Sequence, residues 1–142
     1  MNNTIKIIAY IILIPLVAVW LRIGFVFFYP YKPLVDIEPI TILNENKEVE
    51  AGGCLKYTIN VRKTIDASAT VFRYLVNGEF ITLPMYATHA PAGKINTTKT
   101  VIVPLDTRPG VYKLSTVYDY KVSDFPARVI SVVIESEMFR VR

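Results

Sequence analysis

From Ile5 to Tyr29 the chain reads IKIIAYIILIPLVAVWLRIGFVFFY, with Lys6 and Arg22 as its only charges. A buried helix of a soluble protein would show polar positions every third or fourth residue, and this run does not, which disfavours that reading. Ile7 to Leu21 alone would make a helix of about 22 Å, short of a hydrocarbon core of about 30 Å. Continued through Arg22 to Phe28, the helix reaches about 33 Å and spans. Arg22 then lies close enough to the end for its guanidinium to reach the headgroups. Pro15 is tolerable inside a bilayer helix. Trp20, Tyr29 and Tyr31 sit where aromatic rings favour the interface. Tyr29-Pro30-Tyr31-Lys32-Pro33 stops the helix, because each proline lacks a donor and restrains its predecessor.

A cleaved signal peptide is the main competing reading, since Lys6 precedes the apolar run. No small-residue cleavage pattern follows, however; the flank is Phe27-Phe28-Tyr29-Pro30. Cys54 is too far downstream to serve as a lipoprotein cysteine. The expectation is therefore an uncleaved transmembrane anchor over residues 1–29, in contact with lipid through residues 5–29, and a proline-rich linker over 30–33. The N-terminal flank carries Lys6 and no acid, which places it in the cytoplasm and the rest on the non-cytoplasmic side.

Residues 34–142 suit one domain in length. The whole chain has 16 Lys and Arg against 12 Asp and Glu, a formal charge of +4. Lys6 and Arg22 belong to the anchor, so the remainder is close to neutral, unlike a nucleic-acid-binding domain with a basic face. One cysteine excludes an internal disulfide, and one histidine excludes most metal and triad chemistry.

After the prolines no helical period is sustained; short alternating runs recur between turn signals. Strands are predicted at Val35–Leu43, interrupted by Pro39, at Cys54–Lys63 and at Thr70–Val76, whose larger inward set is Phe72, Tyr74 and Val76. Asn77-Gly78 predicts a type I′ hairpin turn, with φ > 0 at both residues. Glu79–Leu83 is its partner strand, closed by Pro84. Met85–Gly93 reads as an irregular loop. Further strands are expected at Asn96–Leu105, at Val111–Val122 with Tyr112, Leu114, Tyr118 and Tyr120 inward, and at Arg128–Val141. The fold class is all-β, an antiparallel sandwich of seven or eight strands behind one transmembrane helix.

Gly110-Val111-Tyr112-Lys113-Leu114 resembles the Gly-x-Tyr-x-Cys stretch of immunoglobulin domains, whose tyrosine forms a corner at the start of strand F. That resemblance implies an immunoglobulin-like sandwich over 34–142, with Tyr112 buried and its hydroxyl bonded to backbone upstream. Gly110, Tyr112, Asn77 and Gly78 are then the fold-defining residues. Leu114 stands where the family has its second cysteine, and no tryptophan is available for strand C. The whole plan is also similar to small membrane-anchored proteins of unknown function from tailed phages and their bacterial hosts.

The chain holds no nucleotide-binding, nucleophile-elbow or C-x-x-C motif. Cys54 as a nucleophile would need His89 as its base. Met85, His89 and Cys54 together suggest a soft Cu(I) site, although a blue-copper centre needs two histidines. Glu45, Glu48 and Glu50 read as a solvated cluster. Tyr86 in the irregular loop is a candidate partner contact, as are Arg73 and Leu75 on a face taken as outward with Val71. The functional expectation is thus a non-enzymatic, membrane-anchored interaction or structural module that needs no cofactor or metal and meets a protein partner. The alternative expectation is a small copper-handling protein using the Met85–His89 loop.

Overall fold

The computed structural model describes residues 3–142; Met1 and Asn2, the first residues of the expected anchor, lie outside them. Helix α1 (Asn3–Phe28) contains Pro15, and its stretch Ile7–Phe28 is long and apolar enough to cross a membrane. Side chains from Ile7 to Leu21 are exposed, while Val26, near its C-terminal end, is buried. The amide of Tyr29 closes the last turn on the Phe25 carbonyl, and Pro30 ends it. The amide of Thr64 then donates to the Pro33 carbonyl at 3.0 Å, fixing the linker to the rest of the chain.

Nine strands follow: β1 (Leu34–Val35), β2 (Thr41–Ile42), β3 (Glu48–Val49), β4 (Cys54–Lys63), β5 (Ala69–Val76), β6 (Phe80–Thr88), β7 (Gly93–Ile102), β8 (Gly110–Asp124) and β9 (Ala127–Val141). They form two sheets. In one, β4 pairs with β7 along one edge and with β1 and β2 along the other; the second has the order β3-β9-β8-β5-β6. All pairings between these strands are antiparallel except that of β3 with β9. The linker end of the sandwich carries the β4–β5, β6–β7 and β8–β9 connections. The far end carries Asn77-Gly78 and the β7–β8 turn.

The mostly β, two-sheet expectation behind an apolar helix agrees with this structure, but the strand count is nine. Pro39 and the positive φ of Asp36 (49°) split the expected first strand in two. Between the halves, the Ile40 amide donates to Glu135 of β9 at 3.0 Å, so the chain crosses between the sheets and back. Glu48, expected in a solvated cluster with Glu45 and Glu50, instead forms the parallel strand β3 with Val49 and pairs with Arg140 and Arg142. Met85–Thr88 belongs to β6 and not to a loop. Pro84 does not end that strand, because it sits in a bulge: Val71 pairs with Tyr86 and Arg73 with Leu83, leaving Pro84 and Met85 opposite Phe72.

The β5–β6 turn also differs. Val76 pairs with Phe80, which leaves three connecting residues, and of these only Gly78 has positive φ (72°). A three-residue connection needs no second left-handed residue, so the turn is not type I′.

The largest correction concerns the faces of β5. Val71 and Leu75 are fully buried and Arg73 is 7% exposed, whereas Phe72, Tyr74 and Val76 point outward. Register explains the reversal. Val71, Arg73 and Leu75 lie directly opposite Tyr118, Thr116 and Leu114 of β8, and directly opposed residues share a face. The inward row of β8 faces β4, where Leu55, Tyr57, Ile59 and Val61 are buried. These residues form the core between the sheets.

At the start of β8 the hydroxyl of Tyr112 donates to the Arg108 carbonyl at 2.9 Å, with the ring 5% exposed. Gly110 makes room for it: a Cβ there would lie 2.9 Å from Asn77 Nδ2 and 3.4 Å from the Tyr112 ring. Glycine, corner tyrosine and turn asparagine therefore form one packed unit. Tyr112→Phe removes the donor and leaves the Arg108 carbonyl short of a partner. It should cost about 1–3 kcal/mol by chemical denaturation; a cost near zero would mean that the corner does not hold this end of the sheet.

Candidate interaction surfaces

The interior near the linker end holds two buried cations. Arg73 is one. Its Nε and Nη2 donate to the Pro84 carbonyl at 3.1 and 2.5 Å, and its Nη1 donates to the Tyr57 hydroxyl at 3.3 Å. Its guanidinium carbon also lies 4.9 Å from the centroid of the Tyr86 ring. The bulge at Pro84 turns that carbonyl towards the cation, so the irregularity in β6 and the buried charge depend on each other. Arg73 and Leu75 are consequently not on an outward contact face.

Lys63, at the end of β4, is the second, 2% exposed. Its ammonium donates to the Ala90 carbonyl and lies 5.8 Å from the Tyr120 ring centroid. Lys99 on β7 reaches to 5.3 Å from the Tyr86 ring, so Tyr86 has cations on two sides. Tyr86 is half-buried in β6, not presented from a loop. Between β6 and β7 these side chains border a cavity of about 130 Å³, lined also by Ile59, Tyr118 and Tyr120. Among the described residues no acid pairs with Lys63, Arg73 or Lys99.

Burial pushes the Tyr120 phenol up to about 12, with Tyr86 adding to the effect. Burial likewise raises Tyr118, further increased by Tyr86, and raises Tyr86 itself. The cavity thus offers neutral phenols and cationic side chains, which can donate to an acceptor.

The metal and nucleophile candidates are not brought together. Met85 is exposed at the bulge. His89 Nδ1 lies 2.6 Å from the Ser68 hydroxyl, one residue before Ala90, whose carbonyl meets Lys63. Cys54 is exposed at the opposite end of β4, about 30 Å away along the strand. A thiolate–imidazole pair or a shared Cu(I) site is incompatible with that distance. Among the described residues, no group of three or more His, Cys, Asp and Glu side chains is placed to hold a metal.

The outer face of the five-stranded sheet is the more open surface. Phe72, Val117 and Val133 form one row across β5, β8 and β9, and Val76, Lys113 and Met138 form another. Between them runs Tyr74, Ser115 and Glu135; Tyr74 meets Phe80 edge-on at 6.2 Å. Phe80, Val133, Met138 and Met85 are each more than half exposed. The sequence pattern showed that one face of β5 is too apolar for a wetted sheet but selected the wrong face. No family model matches the chain, and no curated protein matches it in sequence.

Two measurements follow. Arg73→Ala leaves the buried Tyr57 hydroxyl unpartnered inside the sandwich and removes both donors to the Pro84 carbonyl. Chemical denaturation should show a loss of about 2–3 kcal/mol, whereas a surface contact residue would lose less than about 0.5 kcal/mol. Alkaline pH should also weaken the fold. Tyr120 holds its proton to about 12 when folded, against 10.0 ordinarily, so between those values the folded state binds more protons than the unfolded one. Stability is then fully present below pH 10.0 and falls as pH rises towards 12. Tyr120→Phe should make the denaturation midpoint fall less steeply across that window.

Proposed function

We propose that this protein is a membrane-anchored, non-enzymatic interaction module, in which α1 spans the bilayer and an immunoglobulin-like sandwich meets a protein partner. The strand arrangement supports the finer fold reading: β1, β2, β4 and β7 face β3, β9, β8, β5 and β6, and the Tyr112 corner stands at the start of β8, the strand before the last, as it does on strand F of the family. Leu114, fully buried on β8, packs where that family's strand F carries a disulfide cysteine. In this reading the sandwich lies on the non-cytoplasmic side, as the basic N-terminal flank favours, and the likeness to phage and bacterial membrane proteins belongs to the same proposal.

One observation carries the partner reading: the outer face joins Phe72, Val117 and Val133 to Phe80 and Met138 as a band with the Lys113–Glu135 pair inside it. A contiguous exposed apolar patch of this kind marks a protein interaction site. A photoreactive amino acid at Val133, in the full chain in the membranes of its own cell, should give a discrete cross-linked adduct. The same probe at Thr98, on the outer face of the other sheet, should not. Phe80→Lys should abolish the adduct while changing stability by no more than about 0.5 kcal/mol. Equal adducts from both faces, or an adduct indifferent to Phe80→Lys, would remove this face from the proposal.

A further inference from the structure

Strands β8 and β9 outrun their sheet. The last pairing of β5 with β8 is Ala69 with Tyr120; beyond it β8 and β9 pair only with each other, through Lys121 with Val129, Ser123 with Arg128 and Asp124 with Ala127. The two strands therefore project as a ribbon of about 13 Å, closed by Phe125-Pro126. That ribbon does not stand free. Arg22 Nε donates to the Phe125 carbonyl at 3.2 Å, and Arg128 Nη1 donates to the carbonyls of Val26 and, at 2.8 Å, Tyr29. The Arg128 guanidinium also lies 5.4 Å from the Tyr31 ring centroid. The tip is thus held against the last two turns of α1.

Position then decides its surroundings. Arg22 precedes Phe28, the end of the apolar stretch, by six residues, which is about 9 Å along a helix axis. A tip bonded to Arg22 lies beside a turn of α1 that is inside the bilayer, not above it. Its chemistry suits that layer. Phe125 is 61% exposed and Val129 57%, with no protein surface covering them. The Phe125 carbonyl accepts from both Arg22 and, at 3.2 Å, the Ser123 hydroxyl, while Pro126 has no amide hydrogen to satisfy. Backbone at this depth must have its partners supplied by protein, and here it does. Asp124, next to Phe125, is the acid at the tip, and Lys121 reaches it from the ribbon's stem at 2.5 Å, so its charge is paired.

We propose that the β8–β9 tip is a second membrane contact, with Phe125 in the upper acyl chains beside α1 and Lys121 among the phospholipid headgroups. The proposal rests on α1 spanning the bilayer, and the two can fail separately. Trp20 is the chain's single tryptophan. In the full chain reconstituted in phosphatidylcholine vesicles, its emission should be quenched by acyl-chain bromines; if it is not, the spanning reading fails. In a Trp20→Phe background, Phe125→Trp places the reporter at the tip. Its emission should be blue-shifted, quenched more by lipid brominated high on the chains than near their ends, and protected severalfold from aqueous iodide. Leu105→Trp in the same background, at the far end of the sandwich, should remain open to iodide and indifferent to brominated lipid. If Trp20 is quenched but the tryptophan at position 125 behaves like the one at 105, the tip lies in water and the proposal is overturned.

Discussion

A buried guanidinium must have its charge answered on every side, and in this sandwich Arg73 imposes that requirement on both sheets. Its donors reach the Pro84 carbonyl within its own sheet and the Tyr57 hydroxyl across the core, and its face lies against Tyr86. Leaving such a charge unanswered costs far more than an ordinary lost contact. The bulge in β6, the inward set of Tyr57 and the position of Tyr86 are the answers. With a single cysteine in the chain, no covalent link joins the sheets. The Tyr57–Arg73 hydrogen bond is a polar tie between them, inside a core otherwise closed by aliphatic and aromatic packing.

The same cation shows where sequence reading succeeds and fails. Strand β4 coincides with the predicted Cys54–Lys63 because strict alternation with one polar face leaves a single register. On β5 both faces are apolar, so period alone cannot orient the strand. The charge on Arg73 and the bulk of Phe72 and Tyr74 then favoured the wrong side. Only pairing with β8 decides it, and pairing is a long-range fact. Lys63 was equally hidden, since an alternating strand gives no sign that its last, charged position will be enclosed by Ala90 and Tyr120. Proline misled at position 84 for the opposite reason: a bulge tolerates it, while local rules treat it as a stop. The Gly110–Tyr112 unit was legible because its contacts are local, four residues apart for the hydroxyl bond.

Strand β8 divides the labour of the molecule. Its inward side chains close the core, its outward ones contribute to the apolar face, and its two ends carry the tyrosine corner and the ribbon against α1. The chain enters the sandwich from α1, so its first strand begins at the α1 end. The β4–β5, β6–β7 and β8–β9 connections lie at that same end. Under the proposed spanning of the bilayer by α1, they face the membrane and the exposed sheet face lies to the side.

The parallel pairing of β3 with β9 has a mechanical consequence. Helix α1 joins the chain at one end of the sandwich, while β9 runs to the other, where the Ala51 and Arg142 amides bond to the Arg142 and Val49 carbonyls at 3.1 and 2.9 Å. Tension applied between α1 and the far end would therefore act along the strands. It would load the β3–β9 bonds in shear, all together, instead of opening them one after another as in an unzipped hairpin. A load shared in this way gives a high barrier to forced unfolding, the quantity that governs survival under pull. Two residues of strand thus make the helix and the sandwich one continuous load path.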